Sequence, residues 1–292
     1  MGAQHRLLAD GRLHLQHGPI DLIVEAEGPN EAVADARRRA IARFDGLLEE
    51  LVAELPALRQ PVRAVADCPL TGPVARRMAM AARPHLPAFV TPMAAVAGAV
   101  AEAVLAAMVA AGGLRRVYVN NGGDIALHLA PGAAPWRLGV VIDPAAPASP
   151  GWLEIGPQSP WRGVATSGAR GRSQSMGIAD SVTVLALDAP AADVAATLLA
   201  NAVDLPGDPA VTRQPACALF PDSDLGDQPV TTHVGRLDPA RIARALDAGE
   251  AAAREMLLRR RIGGAMLALQ GMVRLIGDFP LTHSERKVPL HA

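Results

Sequence analysis

The chain has 292 residues, half of them apolar, and a formal charge of -1 at pH 7. That length supplies a full hydrophobic core, as one large domain or two small ones. The near-neutral charge and an aromatic content of only 3% exclude a basic, base-stacking nucleic-acid surface.

In chain order, the first residues, MGAQHRLLADGR, lack a basic start followed by an apolar core. No secretion signal is expected, and Arg6 stands where a myristoylation motif needs Ser or Thr. IDLIVEAEG (20–28) alternates and is β-branched, which predicts a strand stopped by Gly28. The amphipathic run 29–55 predicts one long helix with Pro29 and Asn30 at its start. Cys68 and Cys217 form no CxxC pair and read as free thiols of a reducing cytoplasm.

TPMAAVAGAVAEAVLAAMVAAGG (91–113) is the most apolar stretch and approaches membrane-span length. It is mostly alanine, carries Glu102 and has no flanking basic cluster, so a buried helix is expected rather than a span. Thr91 is placed as its N-cap, and Gly112-Gly113 ends it. VYVN and DIALHLA flank Asn-Gly-Gly, a hairpin signature. Further strands are expected at 137–142, 152–155, 162–166 and 181–187. Helices are expected at 190–203, near 238–260 and at 262–271, with DSDLGD (222–227) as a turn. The order implies an α+β fold with antiparallel sheets backed by helices. It is expected as one domain over 1–278 with a polar tail, 279–292.

Several familiar site patterns fail. Gly163 to Gly168 has P-loop spacing, but Ala169-Arg170 follow in place of Lys-Ser/Thr. No G-x-G-x-x-G or G-x-S-x-G stretch occurs. SERK (284–287) lies in the tail. Of the 28 basic residues, only Lys287 is a lysine, which all but removes Schiff-base and Walker-type chemistry.

RGVATSGARGRSQS (162–175) is the most unusual loop. Its glycines allow close backbone approach. Thr166 and Ser167 offer hydroxyls, and Arg170 and Arg172 offer forked donors suited to phosphate oxygens. It reads as a diphosphate contact or as a solvated surface loop, with no balancing acid before Asp180. Asp193 and Thr197, at i, i+4, place a carboxylate and a hydroxyl on one helix face. That pair suits Mg²⁺ beside phosphate oxygens; equally, the acid complements the helix dipole and the threonine packs. Asn120-Asn121-Gly122-Gly123 reads as a tight turn, with Asp124 opening the next strand.

Taken in order, NNGGDIAL, APWRLGVVIDP, VATSGARGR, DSVTVLAL and ADVAATLLANAV resemble the motifs of the ApbE-like superfamily, the FAD:protein FMN transferases. The likeness covers roughly 88–204. It extends over most of the chain for an uncharacterised bacterial and archaeal branch carrying TPMAAVAGAVAEAV, YVNNGGDIALHLAPG and GIADSVTVLA. The resemblance implies a T-fold-like architecture, with FAD in a cleft and Mg²⁺ at its diphosphate. It assigns the metal to Asp193 and Thr197; in a transfer reaction Asp193 and Asp180 would hold the metal or accept the proton. It places Thr166, Ser167 and Gly168 near the flavin nucleotide, with backbone carbonyls and contacts from the start of the apolar helix around Met93 to Gly98; Thr91, Gly122, Gly123, Asp124, Arg170 and Arg172 complete the expected nucleotide contacts.

Two departures stand out. The transferases carry a lysine in AKG, where this chain reads AVAGAVAEAV, and SQSMGIADS replaces the segment after their TSG loop. The implied activity is FMN transfer from FAD to a Ser or Thr of an acceptor protein. The alternatives are an enzyme or binding protein for a pterin-type ligand of C1 metabolism, and a non-catalytic flavin carrier. The small-residue helix and low charge suit a homodimer; neither nucleic acid nor membrane is expected as a partner.

Overall fold

The alternation in the first 27 residues builds three antiparallel strands: β1 (Gln4–Leu7), β2 (Leu13–His17) and β3 (Ile20–Glu27). The structure, a computed structural model, describes residues 2–62, 70–140, 151–171 and 173–283. The expected long helix over 29–55 is broken into α1 (Asn30–Phe44), α2 (Leu47–Ala53) and α3 (Leu55–Leu58). The break falls at Gly46, whose φ of 75° is open to glycine and strained for other residues. Helix α4 (Pro73–Ala82), which the sequence reading did not foresee, follows.

The apolar stretch opens with a 3-10 turn over Pro92–Ala95, and only then does α5 (Val96–Val109) begin. Thr91 precedes that turn, is buried, and makes no side-chain cap, so its expected capping role is corrected. Residues Pro92–Val109 are apolar and long enough to cross a membrane, with a mean hydropathy of 1.8. Helix α5 instead packs on α1 and on the hairpin β4 (Arg116–Asn121) and β5 (Asp124–Leu129). That hairpin has the expected two-residue turn, Gly122 at φ 65° and Gly123 at φ 116°. Two successive positive φ values explain the Gly-Gly pair.

Next come β6 (Trp136–Gly139), β7 (Gly151–Ile155), β8 (Gly163–Ser167), β9 (Ser181–Ala186) and α6 (Ala189–Ala202). The part of the expected 137–142 strand at 141–142 lies outside the described residues. They are followed by β10 (Val211–Pro215), α7 (Ala216–Leu219), β11 (Pro229–Val234) and α8 (Pro239–Leu258). The helix expected at 262–271 is a hairpin instead, β12 (Gly264–Leu269) and β13 (Met272–Gly277). GAMLAL is buried along its whole length, and a short, fully buried run carries no periodicity that separates strand from helix. The turn residues Gln270 (φ 45°) and Gly271 (φ 85°) were the overlooked signal. The expected tail begins inside the fold, because β14 (Leu281–His283) pairs with β7.

The chain divides into two compact units whose segments interleave. The first contains residues 1–135, 156–165 and 187–194; the second contains 136–155, 166–186 and 195–292. No linker composition announces this division, because β8 and α6 each run from one unit into the other. In the first unit the strands follow the order β1-β2-β3-β4-β5 with the start of β8, all antiparallel. In the second, β9, β12 and β13 form antiparallel neighbours backed by α8. There β14-β7-β6 and β10-β11 make two smaller sheets.

Candidate functional site

In the first unit, three backbone segments converge on Asp193. Gly98, in the first turn of α5, packs against the start of α6 so closely that a Cβ would lie 2.4 Å from the Ala189 carbonyl oxygen. Gly163 faces the preceding carbonyl in the same way, at 2.0 Å from the Asp188 oxygen. Only residues without a side chain allow these approaches. They bring the Gly98 N–H to 3.0 Å from Asp193 Oδ2, and the Ala97 N–H also donates to this carboxylate. Asn121, the last residue of β4, is buried and donates to the Ala97 carbonyl at 3.2 Å. The Gly123 N–H donates to Asn120 Oδ1 at 2.8 Å and fixes the turn leading to Asp124.

Asp193 is buried. Burial raises its carboxyl well above the usual aspartate range, and the neighbouring Asp124 raises it further; the Gly98 and Ala97 N–H groups oppose the shift. Two carboxylates next to one another with burial on one side are a poor arrangement for charge unless a cation joins them. Among the described residues, no arginine or histidine contributes to the shift of Asp193. The donor set, two carboxylates and nearby backbone carbonyls, is the hard-oxygen chemistry that Mg²⁺ takes. The residues therefore fit a divalent cation. Among the described residues there is no cluster of three or more His, Cys, Asp or Glu, so such a cation would also depend on ligand oxygens.

Of the residues expected from the sequence, Gly122, Gly123, Asp124 and Asp193 gather in this unit, with Thr91 just before and Met93 on the 3-10 turn that precedes α5. Thr197 lies one turn beyond Asp193 on α6 and is half-buried. Asn121, expected as a turn residue, and the Ala97–Gly98 turn, expected only as part of the contacts at the start of the apolar helix, are what hold Asp193. A buried asparagine in an Asn-Asn-Gly-Gly run is indistinguishable from turn chemistry until its partner is seen.

The glycine-arginine loop belongs to the second unit, where it is braced by its own neighbours. A Cβ on Gly168 would lie 2.5 Å from the Asp180 carbonyl oxygen. The Ala169 N–H donates to the Ala179 carbonyl at 2.8 Å. Arg170 Nε lies 2.8 Å from Asp180 Oδ1, and the Gln270 N–H donates to Oδ2 of the same carboxylate. The acid that the sequence placed beyond the loop thus folds back onto it. Both oxygens of Asp180 are engaged, a bracing role the sequence reading did not foresee. Thr166 and Thr183 share a hydroxyl contact of 3.0 Å, and Ser167 is half-buried at the strand end. Asn201 Oδ1 accepts from the Met176 N–H at 2.9 Å and holds the far side of the loop. Arg172 lies outside the described residues, as do Cys68 and the SERK stretch.

Residues 5–275 match the family described as AbpE bacteria. A UPF0280 protein of Methanosphaerula palustris is 36% identical over 194 residues, covering 66% of this chain and 77% of that protein. The apo flavinyl transferase ApbE of Pseudomonas stutzeri is 13% identical with a TM-score of 0.38, covering 94% of both chains. The ApbE protein of Thermotoga maritima is 12% identical with a TM-score of 0.45, covering 94% of this chain and 97% of that one.

Proposed function

Since the chain belongs to the AbpE bacteria family and to the UPF0280 proteins, we propose that it binds a flavin dinucleotide together with a divalent cation. The observation that carries this reading is the buried Asp193 facing Asp124, supplied by backbone donors alone among the contacts described. Asp193 and Asp124 would hold the cation, with Thr197 one turn along α6. When bound, a cation of this kind neutralises diphosphate oxygens and so eases attack by a hydroxyl on phosphorus.

The chain's own residues do the positioning. Gly98 and Ala97 orient the Asp193 carboxylate. Asn121 holds the Ala97 carbonyl and with it the first turn of α5. The hydroxyls of Thr166 and Ser167 and the guanidinium of Arg170 would supply diphosphate-type donors in the second unit. Thr166, Ser167, Gly168 and Arg170 are therefore the nucleotide-contact candidates, and Arg172 shares the chemistry by sequence. Asp180 is assigned to orienting Arg170 rather than to proton transfer.

Transfer of FMN to an acceptor hydroxyl is the family-level activity that this arrangement supports. The missing lysine at the start of α5 favours a second reading, a flavin carrier that binds without transfer. One assay separates them. Purified protein is mixed with FAD and Mg²⁺ and followed by flavin fluorescence and AMP release, with and without an acceptor peptide carrying Ser or Thr before Gly-Ala. Mg²⁺-dependent binding with AMP release supports transfer; binding without AMP supports the carrier. A pterin that binds while FAD does not would remove both.

A further inference from the structure

Arg77 of α4 makes a contact that nothing in the proposed chemistry requires. Its Nε lies 2.7 Å from Glu102 Oε2 and its Nη2 3.2 Å from Glu102 Oε1, a forked pair. The same Nη2 lies 2.7 Å from Asp188 Oδ1. Glu102 sits one helical turn after Gly98 on α5. Asp188 caps α6: its Oδ1 accepts the Ala191 N–H at 2.9 Å, and its carbonyl accepts the Ala192 N–H at 3.1 Å. All three side chains are about two-thirds covered, at 28%, 29% and 34% exposure.

The two helices joined by this guanidinium are the two that meet at Asp193. Helix α5 brings the Gly98 N–H, and α6 brings the carboxylate five residues after Asp188. The close approach of Gly98 to Ala189 has only small residues to key its register. Small-residue contacts permit sliding and rotation that a knob would prevent. A planar fork with a carboxylate on each helix supplies the missing key.

We infer that Arg77 is a positioning residue for the Asp193–Asp124 cation seat, acting through Glu102 on α5 and Asp188 on α6. The inference rests on the cation reading proposed above. A side chain that merely stabilises the fold would lower the melting temperature and leave cation affinity alone. A positioning residue changes the affinity itself, as groups that orient metal ligands do, by roughly tenfold or more.

The test is calorimetric titration of the full chain with Mn²⁺ alone, well below the melting temperature. Arg77→Met should weaken Mn²⁺ by roughly tenfold or more, and Arg77→Lys, which keeps charge but loses the fork, by less. Glu102→Gln carries the test if Arg77→Met does not fold, and should weaken Mn²⁺ in the same direction. Leu15→Ala, a core truncation on β2, is the control for stability loss and should leave the affinity unchanged. Unchanged affinity in the Arg77 and Glu102 variants, or equal weakening in Leu15→Ala, overturns the inference while leaving the cation reading intact. A wild-type protein that binds no Mn²⁺ overturns both.

Discussion

Asp193 and Arg170 carry charge under opposite conditions. Asp193 is buried, faces a second carboxylate, and is held by backbone N–H groups. Arg170 is 46% exposed and already rests on Asp180. A like-charge pair away from water is unfavourable and is relieved by a cation or by protonation, whereas the Arg170–Asp180 pair, exposed on the arginine side and covered on the aspartate side, has its opposite charge in place and sets geometry. The chain therefore separates demand from order. The first unit holds a buried carboxyl raised by burial and by a second acid, and the second holds a loop braced by its own neighbours.

The largest expected effect breaks the geometry on the Asp193 side. Gly98→Ala would drive a Cβ to within 2.4 Å of the Ala189 carbonyl oxygen, and overpacking against backbone costs about 3 kcal/mol. Urea unfolding measures it, and a loss near zero would show that α5 and α6 separate freely. Gly168→Ala in the other region meets the Asp180 carbonyl at 2.5 Å. It should cost less, because the loop is exposed on its outer side and can give.

The second effect has the opposite sign. The carboxyl of Asp193 is raised by burial and by Asp124, so folding favours its neutral form. Above the ordinary aspartate range the ionised group weakens the cation-free protein, and below that range the cost vanishes. Asp193→Asn should therefore stabilise the metal-free chain at neutral pH by about 1–2 kcal/mol. The same variant should lose the Mg²⁺-induced rise in melting temperature that cation binding predicts for the wild type. Destabilisation in the absence of metal would mean that the two N–H donors outweigh burial.

Arg170→Gln probes the other half of the comparison and should cost about 0.5 kcal/mol, less at high salt. Its informative readout is FAD affinity. A stability change with unaltered FAD binding makes the loop a structural brace and confines ligand recognition to other groups.

How much of this was legible beforehand differs between the two regions. The strands at 20–27, 116–121 and 124–129 and the helices at 189–202 and 239–258 have periodicities or turn residues that fix them locally. The hairpin 264–277 did not, since a uniformly buried six-residue run has no polar face to set its period. In the candidate site, the i, i+4 spacing of Asp193 and Thr197 and the Gly-Gly turn were visible because each is local. The opposition of Asp193 and Asp124, 69 positions apart in sequence, and the Asp180–Arg170 clasp arise only from the fold. The Gly98–Ala189 and Gly163–Asp188 approaches were invisible for a further reason: a glycine in an alanine-rich helix gives no hint of what it faces.

Glu102 provides the smallest expected effect and the finest test of how charge is managed near Asp193. In sequence it was an argument against membrane insertion; in the fold it is the α5 partner of Arg77. Burial raises its carboxyl above the ordinary glutamate value of 4.5, Arg77 opposes that shift, and Asp188 adds to it. A carboxyl raised by folding contributes stability that is complete below its unfolded value and is lost as pH rises through its folded value. The advantage of wild type over Glu102→Gln should thus be greatest below about pH 4 and shrink as pH climbs past the ordinary glutamate range, then level off. Urea midpoints of the two proteins across that range measure the trend. A difference that grows with pH would show that the pull of Arg77 exceeds the cost of burial. The Arg77–Glu102–Asp188 cluster would then be a net source of stability, and the contrast between a carboxyl at 193 raised by burial and a second acid and a carboxylate at 102 balanced by arginine would be sharper still.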